Sequence, residues 1–418
     1  MDNMYMKRIL FIFFITLLLN SLAQGQTDED ALAVDADTII IDNINAYRNI
    51  GYGKQPVKYV TSSISTVSGT TLEKNFSLNA ANTLYGRLTG LYVQQGGSEP
   101  GAAVPGLIVR GLNTFGEAST NPLIIVDGFL CNGIGTANGF MQLVPEEIET
   151  ISVLKDASAT AVYGARAANG VILVTTKTAA EGPLRVTFTT RHGSTHAQYI
   201  PKFLSAYNYS VLYNEALKND GKPPKYSEAD LYAYQNNTDP IYHPNVNWYK
   251  EVLRPTAPVS SYDLTFGGGD KVIRYFVMLN ALASQGLYKR FGDQQEESSN
   301  AKFSRYNFRT NIDIAPSKNL AIEFKIAGSI EQINNPGEYN TTSIFNQLSF
   351  LPPNAFPVYN TNGSFAGNVG YTSNPVANLL ATGFSQSNAR TILSSLKFTE
   401  KLDMITPGLS VSAAISIN

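Results

Sequence analysis

Several sets of residues in the 418-residue chain have types and spacing that chemistry could use. Glu146 and Glu147 are a carboxylate pair of the kind that cleaves glycosidic bonds. As neighbours on a strand they point to opposite sides and cannot flank one bond, so a solvated strand entry is the expectation. His192 and His196 have a spacing that metal ligands use, yet Gly193 lies between them at a strand end and no third ligand is near in sequence. Gly51-Tyr52-Gly53 lacks the preceding strand, the third glycine and the helix of a dinucleotide fingerprint. Ser152 and Ser158 have no histidine within motif range. No catalytic constellation assembles from these residues, and the sequence predicts no enzyme and no metal or other cofactor.

What remains is recognition. Tyr207, Tyr209, Tyr213, Tyr226, Tyr232, Tyr234, Tyr242, Trp248 and Tyr249 crowd one stretch of the chain. Aromatic rings among polar neighbours can stack on sugar rings or grip peptides, because each joins a flat apolar face to a hydrogen-bonding edge. They can equally pack their own loop or sit at a membrane interface. Both readings stay open, and no ligand contact is assigned.

Composition narrows the class of protein. The formal net charge is −2 and 15% of residues are charged, which argues against a nucleic-acid partner. The 23 Tyr, 21 Phe and 33 Gly suit a β-rich chain with aromatic girdles, although a soluble β-protein shares that profile. Lys7 and Arg8 precede an apolar run from Ile9 to Leu19, and Ala23-Gln24-Gly25 offers small residues around a cleavage point. This reads as a secretory signal peptide cut before Gln26. The run is short for a membrane span and no second run of spanning length follows. Cys131, the one cysteine, has neither a disulfide partner nor a lipobox.

The elements that position these residues fall into two kinds. From Pro145 to Thr176 the sequence spells strand, short helix, strand. Ile151 and Val153 alternate, Asp156 can cap an Ala-rich turn, Gly164 stops it, Asn169-Gly170 turns the chain, and Val171-Ile172-Leu173-Val174 suits a strand covered on both faces. Upstream, Asn79 can cap a helix that Gly90 ends, and Leu107-Ile108-Val109-Arg110 reads as a strand. Beyond Gly182 the pattern becomes long alternating strands. Tyr306, Phe308, Thr310, Ile312 and Ile314 share one face, and Arg305, Asn307, Arg309, Asn311 and Asp313 share the other. Gly267-Gly268-Gly269-Asp270, Pro316-Ser317-Lys318-Asn319 and Thr406-Pro407-Gly408 make short turns, while the connections after Gly193, Gln285 and Glu331 are long. Short turns alternating with long loops on strands of about ten residues are the pattern of an outer-membrane barrel.

Gly106-Leu107-Ile108-Val109-Arg110-Gly111, Asn121-Pro122-Leu123-Ile124-Ile125-Val126-Asp127-Gly128 and the Pro145 to Thr176 unit occur in a fixed order. Over about Pro56 to Gly193 the chain closely resembles the plug domain of TonB-dependent outer-membrane transporters, within them the SusC/RagA type. The fold expected is an α+β plug domain followed by antiparallel transmembrane β-barrel strands, with the barrel incomplete. The divisions expected are a signal peptide over 1–25, a periplasmic segment with a TonB box over 26–55, the plug over 56–180, and barrel strands and loops over 181–418.

The resemblance implies import of a large nutrient, an oligosaccharide or a peptide, driven mechanically through the TonB complex and so without a chemical cofactor. It implies a SusD-like surface lipoprotein as partner and outer-membrane lipid as surroundings. Asp37-Thr38-Ile39-Ile40-Ile41 looks like the TonB box, since a β-branched run can add as a strand to another sheet edge. Tyr47-Arg48-Asn49-Ile50-Gly51-Tyr52-Gly53 is a second candidate. Arg110 and Arg166 are expected to dock the plug on the barrel wall. A siderophore or cobalamin receptor of the same build is the alternative within the class, and a secreted carbohydrate-binding module or adhesin is the alternative outside it. About seven long strands follow the plug, whereas plugged barrels close with about twenty-two. An open sheet in lipid would carry an edge penalty on the order of tens of kcal/mol, so a longer polypeptide is expected.

Overall fold

The computed structural model describes residues 47–97, 99–101, 105–114, 119–131, 140, 143–289, 301–337 and 341–417. The expected signal peptide and Asp37-Thr38-Ile39-Ile40-Ile41 lie outside the described residues. The chain divides into two units. The described part of the small one is Tyr47 and Pro56–Val60, with a 3-10 turn at Val57–Tyr59; the large one holds Arg48–Gln55 and all described residues from Thr61 on.

The described chain starts with a two-stranded hairpin, β1 (Tyr47–Asn49) and β2 (Lys54–Pro56). The plug follows, with strands β3 (Ile64–Ser68), β4 (Leu91–Gln94), β5 (Gly106–Val109), β6 (Leu123–Val126), β7 (Phe129–Leu130), β8 (Ile148–Leu154) and β9 (Val171–Thr176). Its main sheet has the order β3-β8-β9-β6-β7, with β6 parallel to β9 and the other neighbours antiparallel; β4 and β5 pair separately. Helices here are short. Helix α1 (Gly69–Glu73) follows β3, and α2 (Ala157–Thr160) begins where the Asp156 carboxylate accepts from the Ala159 N–H at 2.8 Å. The expected helix after Asn79 is a 3-10 turn, Ala80–Leu84, still capped by the Asn79 side chain. Gly164 ends the first helical run, as expected. At φ 67 and ψ −158 it is non-helical, and it separates two helical turns within the 3-10 stretch Ala161–Ala167. Gly170 is required at the turn into β9: its φ is +90, and a Cβ there would come within 2.9 Å of Val109.

Seven long strands make the second sheet: β10 (Gly182–Thr195), β11 (Ala257–Gly269), β12 (Ile273–Gln285), β13 (Lys302–Ile314), β14 (Leu320–Pro336), β15 (Phe384–Lys401) and β16 (Ser410–Ile417). They pair antiparallel in sequence order. The tight turns expected from Gly269-Asp270 and Pro316 to Asn319 join β11 to β12 and β13 to β14 at one end. At the other end, the stretch of crowded tyrosines is folded: α3 (Ala206–Asn219), α4 (Glu228–Asn236) and α5 (Trp248–Val252) lie between β10 and β11. Helices α6 (Thr341–Phe350) and α7 (Pro375–Ala381) lie between β14 and β15. Trp248, Tyr249, Val252, Leu348, Phe356 and Leu379 give these two connections a shared apolar core.

Candidate functional site: the interface of plug and wall

Alternation along β13 puts Arg305, Asn307, Arg309 and Asn311 on one face, all buried, and Tyr306 and Phe308 on the other, both exposed. Arg305 is 2% accessible and Tyr306 is 58% accessible. Neighbouring strands agree: Asp263 and Asn280 are buried, whereas Tyr262, Leu279, Ile330 and Ile392 are exposed. A sheet in water buries its apolar face and wets its charged one. This sheet does the reverse, and the faces make sense when the outer one meets hydrocarbon and the inner one holds the plug.

The inner face binds the plug through charge. Pro145–Glu147 forms a 3-10 turn ahead of β8, and the Glu147 carboxylate accepts from the Val144 N–H at 2.7 Å. The same carboxylate is ion-paired to Arg309 of β13. Glu146 meets Arg191 of β10 at 2.5 Å, and Arg191 also reaches Asp263 of β11 at 3.0 Å. The Asp-Gly turn between β6 and β7 takes φ 51 at Asp127 and 89 at Gly128, positive at both central positions of the tight hairpin. It aims the Asp127 carboxylate at Lys325 of β14, 3.0 Å away, and at Arg309, 4.0 Å away. Thr176 donates both its N–H and its hydroxyl to the same carboxylate, at 3.0 and 2.6 Å. Asn311 of β13 donates to Thr176 Oγ1 at 2.9 Å and to the Lys177 carbonyl at 2.7 Å. Apolar contacts flank the charges, with Val144 against Phe276 and Met278, and Leu78 against Val259, Leu282 and Phe303.

Ionisation in this cluster follows from the partners. Burial alone would raise the Asp127 pKa, but Lys325, Arg309 and the two Thr176 bonds outweigh it and hold the carboxyl below its ordinary 3.8. Glu146 moves the other way. Burial, then the Asp263 carboxylate beside it, raise it above its ordinary 4.5 because two carboxylates share the Arg191 guanidinium. Cys131, buried beside this cluster, has its thiol pushed up to about 11 by burial, which keeps it unreactive.

One sequence expectation is corrected here. Glu146 and Glu147 are not a solvated strand entry; both are buried in ion pairs with the wall. On the face that meets these seven strands, docking runs through other residues than Arg110 and Arg166. The plug supplies the acids and the wall supplies Arg191, Arg309 and Lys325. Arg110 is exposed in a left-handed conformation at φ 55, and its Nη2 donates to Ser63 Oγ within the plug at 2.9 Å. Arg166 is exposed in the last turn of the 3-10 stretch. Sequence reasoning missed the acidic side of the interface, although two arginines, Arg305 and Arg309, on one strand face were the signal that could have found it.

Part of the aromatic stretch packs its own loop. Trp248 and Tyr249 are buried in the shared loop core, where Trp248 Nε1 donates to the Pro352 carbonyl at 3.3 Å. Tyr209, Tyr213, Tyr226, Tyr234 and His243 run in a chain of ring contacts 5.2 to 6.0 Å apart. Tyr232 and Tyr242 are exposed. Phe203, Asn245, Asn247, Trp248, Tyr249 and Leu351 line a cavity of about 270 Å³. On the plug, Asn82, Tyr85, Tyr92, Gln94 and Gln95 line a wider one of about 520 Å³. Among the described residues, no charged side chain lines either cavity. His192 is exposed, with Nε2 3.0 Å from Thr190 Oγ1 and its ring edge-on to Tyr262.

A small mixed sheet held by ion pairs against the polar face of an antiparallel wall is the build of a plug-bearing barrel receptor, and residues 56–171 match the TonB-dependent receptor plug domain. Within that class the chain is of the SusC/RagA type. It is 30% identical over 372 residues to the TonB-dependent receptor P26 of Formosa agariphila, covering 85% of this chain and 33% of that protein. It is 30% identical over 355 residues to the TonB-dependent receptor SusC of Bacteroides thetaiotaomicron, covering 84% and 31%. The chain therefore spans about a third of the length of these relatives. Its fold matches a structure of the RagAB peptide importer in an open-open state with a TM-score of 0.68 and 23% identity, over 88% of this chain and 42% of that one.

Proposed function

We propose that this chain works in TonB-dependent import of a large nutrient across the outer membrane, with the plug as its gate. The observation that carries the reading is the reversed wall, apolar outside and charged inside, with the plug held on the charged face. Lipid accounts for the outer face, since hydrocarbon favours Leu279 and Ile392 where water does not. Asp37-Thr38-Ile39-Ile40-Ile41 is the segment proposed for the TonB complex, lying between a signal peptide over 1–25 and the plug. The surface partner proposed is a SusD-like lipoprotein, and Arg110 and Arg166 are left exposed for wall that lies beyond these seven strands.

An oligosaccharide is the ligand class favoured. Uncharged cavities of tyrosine rings and carboxamides suit hydroxylated rings, which offer apolar faces for stacking and hydroxyls for the amides. A peptide is the second reading, supported by the fold shared with the RagAB peptide importer. Deleting residues 37–41 is expected to abolish uptake of labelled ligand while leaving binding at the cell surface unchanged, because the box transmits force and does not touch ligand. Uptake that persists in the deletion strain refutes residues 37–41 as the box and moves the assignment to Ile50 to Gly53. Competition by unlabelled glycans and peptides separates the two ligand classes.

A further inference from the structure

The main plug sheet is buried on both faces, and the plug core covers only one. Ile151, Val153, Ile172 and Val174 point into that core with Leu72 and Leu84. Strand alternation places Ser152, Leu154, Leu173 and Thr175 on the opposite face, together with Thr66, whose hydroxyl meets that of Ser152 at 2.9 Å. Ser152, Leu154 and Leu173 are nonetheless 2%, 0% and 3% accessible.

Part of the cover comes from the hairpin that precedes the plug. Arg48 Nη1 donates to the Ile64 carbonyl of β3 at 3.0 Å, and Asn49 Nδ2 lies 3.5 Å from Thr175 Oγ1 of β9. At the hairpin tip the Tyr52 ring stacks on Tyr163 of the 3-10 stretch, centroids 5.4 Å apart and planes 28° apart. Gly51 has φ +114, and a Cβ there would fall 3.1 Å from the Tyr163 hydroxyl, so the tip is shaped to this contact. Tyr52 itself stays exposed, so the contact is one ring face laid on Tyr163 at the surface.

We infer that the β1–β2 hairpin is a clasp that must be peeled from the plug before any plug strand can move, with Arg48, Tyr52 and Tyr163 as its positioning residues. The inference rests on the TonB reading, in which traction arrives from upstream of residue 47. The hairpin lies first on that path. Next comes the Ser63 N–H, which donates to Asp156 Oδ2 at 2.5 Å, and then β3, an edge strand paired only to β8. Peeling the hairpin bares the face around Thr175 and leaves β3 as the next element under load. A segment that the sequence offers as a second TonB box is thus the fastening between the box and the plug.

The test uses the transporter in its native outer membrane with Cys131→Ser as background. Tyr52→Cys with Tyr163→Cys is bridged by a cleavable bis-thiol reagent, and the bridged fraction is read on a gel. Uptake by the bridged fraction is expected to fall at least tenfold and to return on reduction, with surface binding of ligand unchanged. In parallel, Thr175→Cys is expected to react with a periplasmic maleimide at least fivefold faster in energised cells given ligand than in cells without a proton gradient. Undiminished uptake by the bridged protein, or equal labelling of Thr175→Cys in the two conditions, overturns the clasp. Uptake by the parent protein is measured alongside in a strain lacking TonB: if it is unchanged there, the TonB reading itself has failed, and not the clasp alone.

Discussion

Replacing Arg309 by Met should loosen the plug from the wall more than any other single change in this chain. The guanidinium is 5% accessible, the Glu147 carboxylate it pairs with is 3% accessible, and the Asp127 carboxylate 4.0 Å away is 8% accessible. Removing the cation takes the ion-pair partner from buried Glu147, with Arg305 the remaining cation near it, and leaves Lys325 alone to balance Asp127. Breaking a buried pair in this way costs about 3–5 kcal/mol, because the stranded charge keeps its desolvation penalty and loses the attraction that offset it. At about 1.4 kcal/mol per factor of ten, that is roughly two to three and a half orders of magnitude in the docking equilibrium. Hydrogen exchange of purified protein, followed in peptides covering 144–154 and 171–177, reads the loss directly. Arg309→Met with Glu147→Gln should recover most of it, since the double change removes both charges. Exchange in Arg309→Met within about twofold of the parent, the range of an ordinary surface substitution, would show that these ion pairs do not hold the plug.

Acidification should release the two acidic contacts in a fixed order. The Glu146 pKa is raised in the folded state, so this carboxylate costs stability at neutral pH and the cost is relieved as pH falls toward and below 4.5; it protonates first and leaves Arg191 to Asp263. The Asp127 pKa is lowered, so its contribution is complete above 3.8 and is lost only as pH falls through the depressed value. Protease protection of the plug should therefore persist down to pH 4, and its loss at about pH 5 or above would contradict the assignment. Leu279, exposed midway along β12, should tolerate no charge: Leu279→Arg is expected to lower folding stability in a bilayer by about 2–4 kcal/mol, measured by denaturant titration in vesicles. Membrane-purified protein should begin at Gln26 on N-terminal sequencing, and an intact Met1 would remove the signal peptide from the account.

Local chemistry made much of the plug legible. Asp156 and Asn79 cap where short-range hydrogen bonding says they should, and the Asp127-Gly128 turn and Gly170 take the positive φ values their residue types allow. Alternation in β13 and β14 was equally plain, because side chains on a strand repeat every second residue whatever surrounds them. Alternation says which residues share a face and is silent about what each face meets. That was decided when the plug folded against β10 to β14 and turned Arg309, Asn311 and Lys325 inward. Glu146 and Glu147 were misread for the same reason: their partners lie 45 and 162 residues away, beyond any local pattern. The stretch after β10 was legible as aromatic but not as folded, since α5 shares its core with Tyr288 and with the connection between β14 and β15, about a hundred residues further on. Spacing and propensity act over a few residues and can be read from the chain alone. Burial, charge pairing and the choice of an inner face depend on contacts between distant segments, and those exist only once the chain has folded.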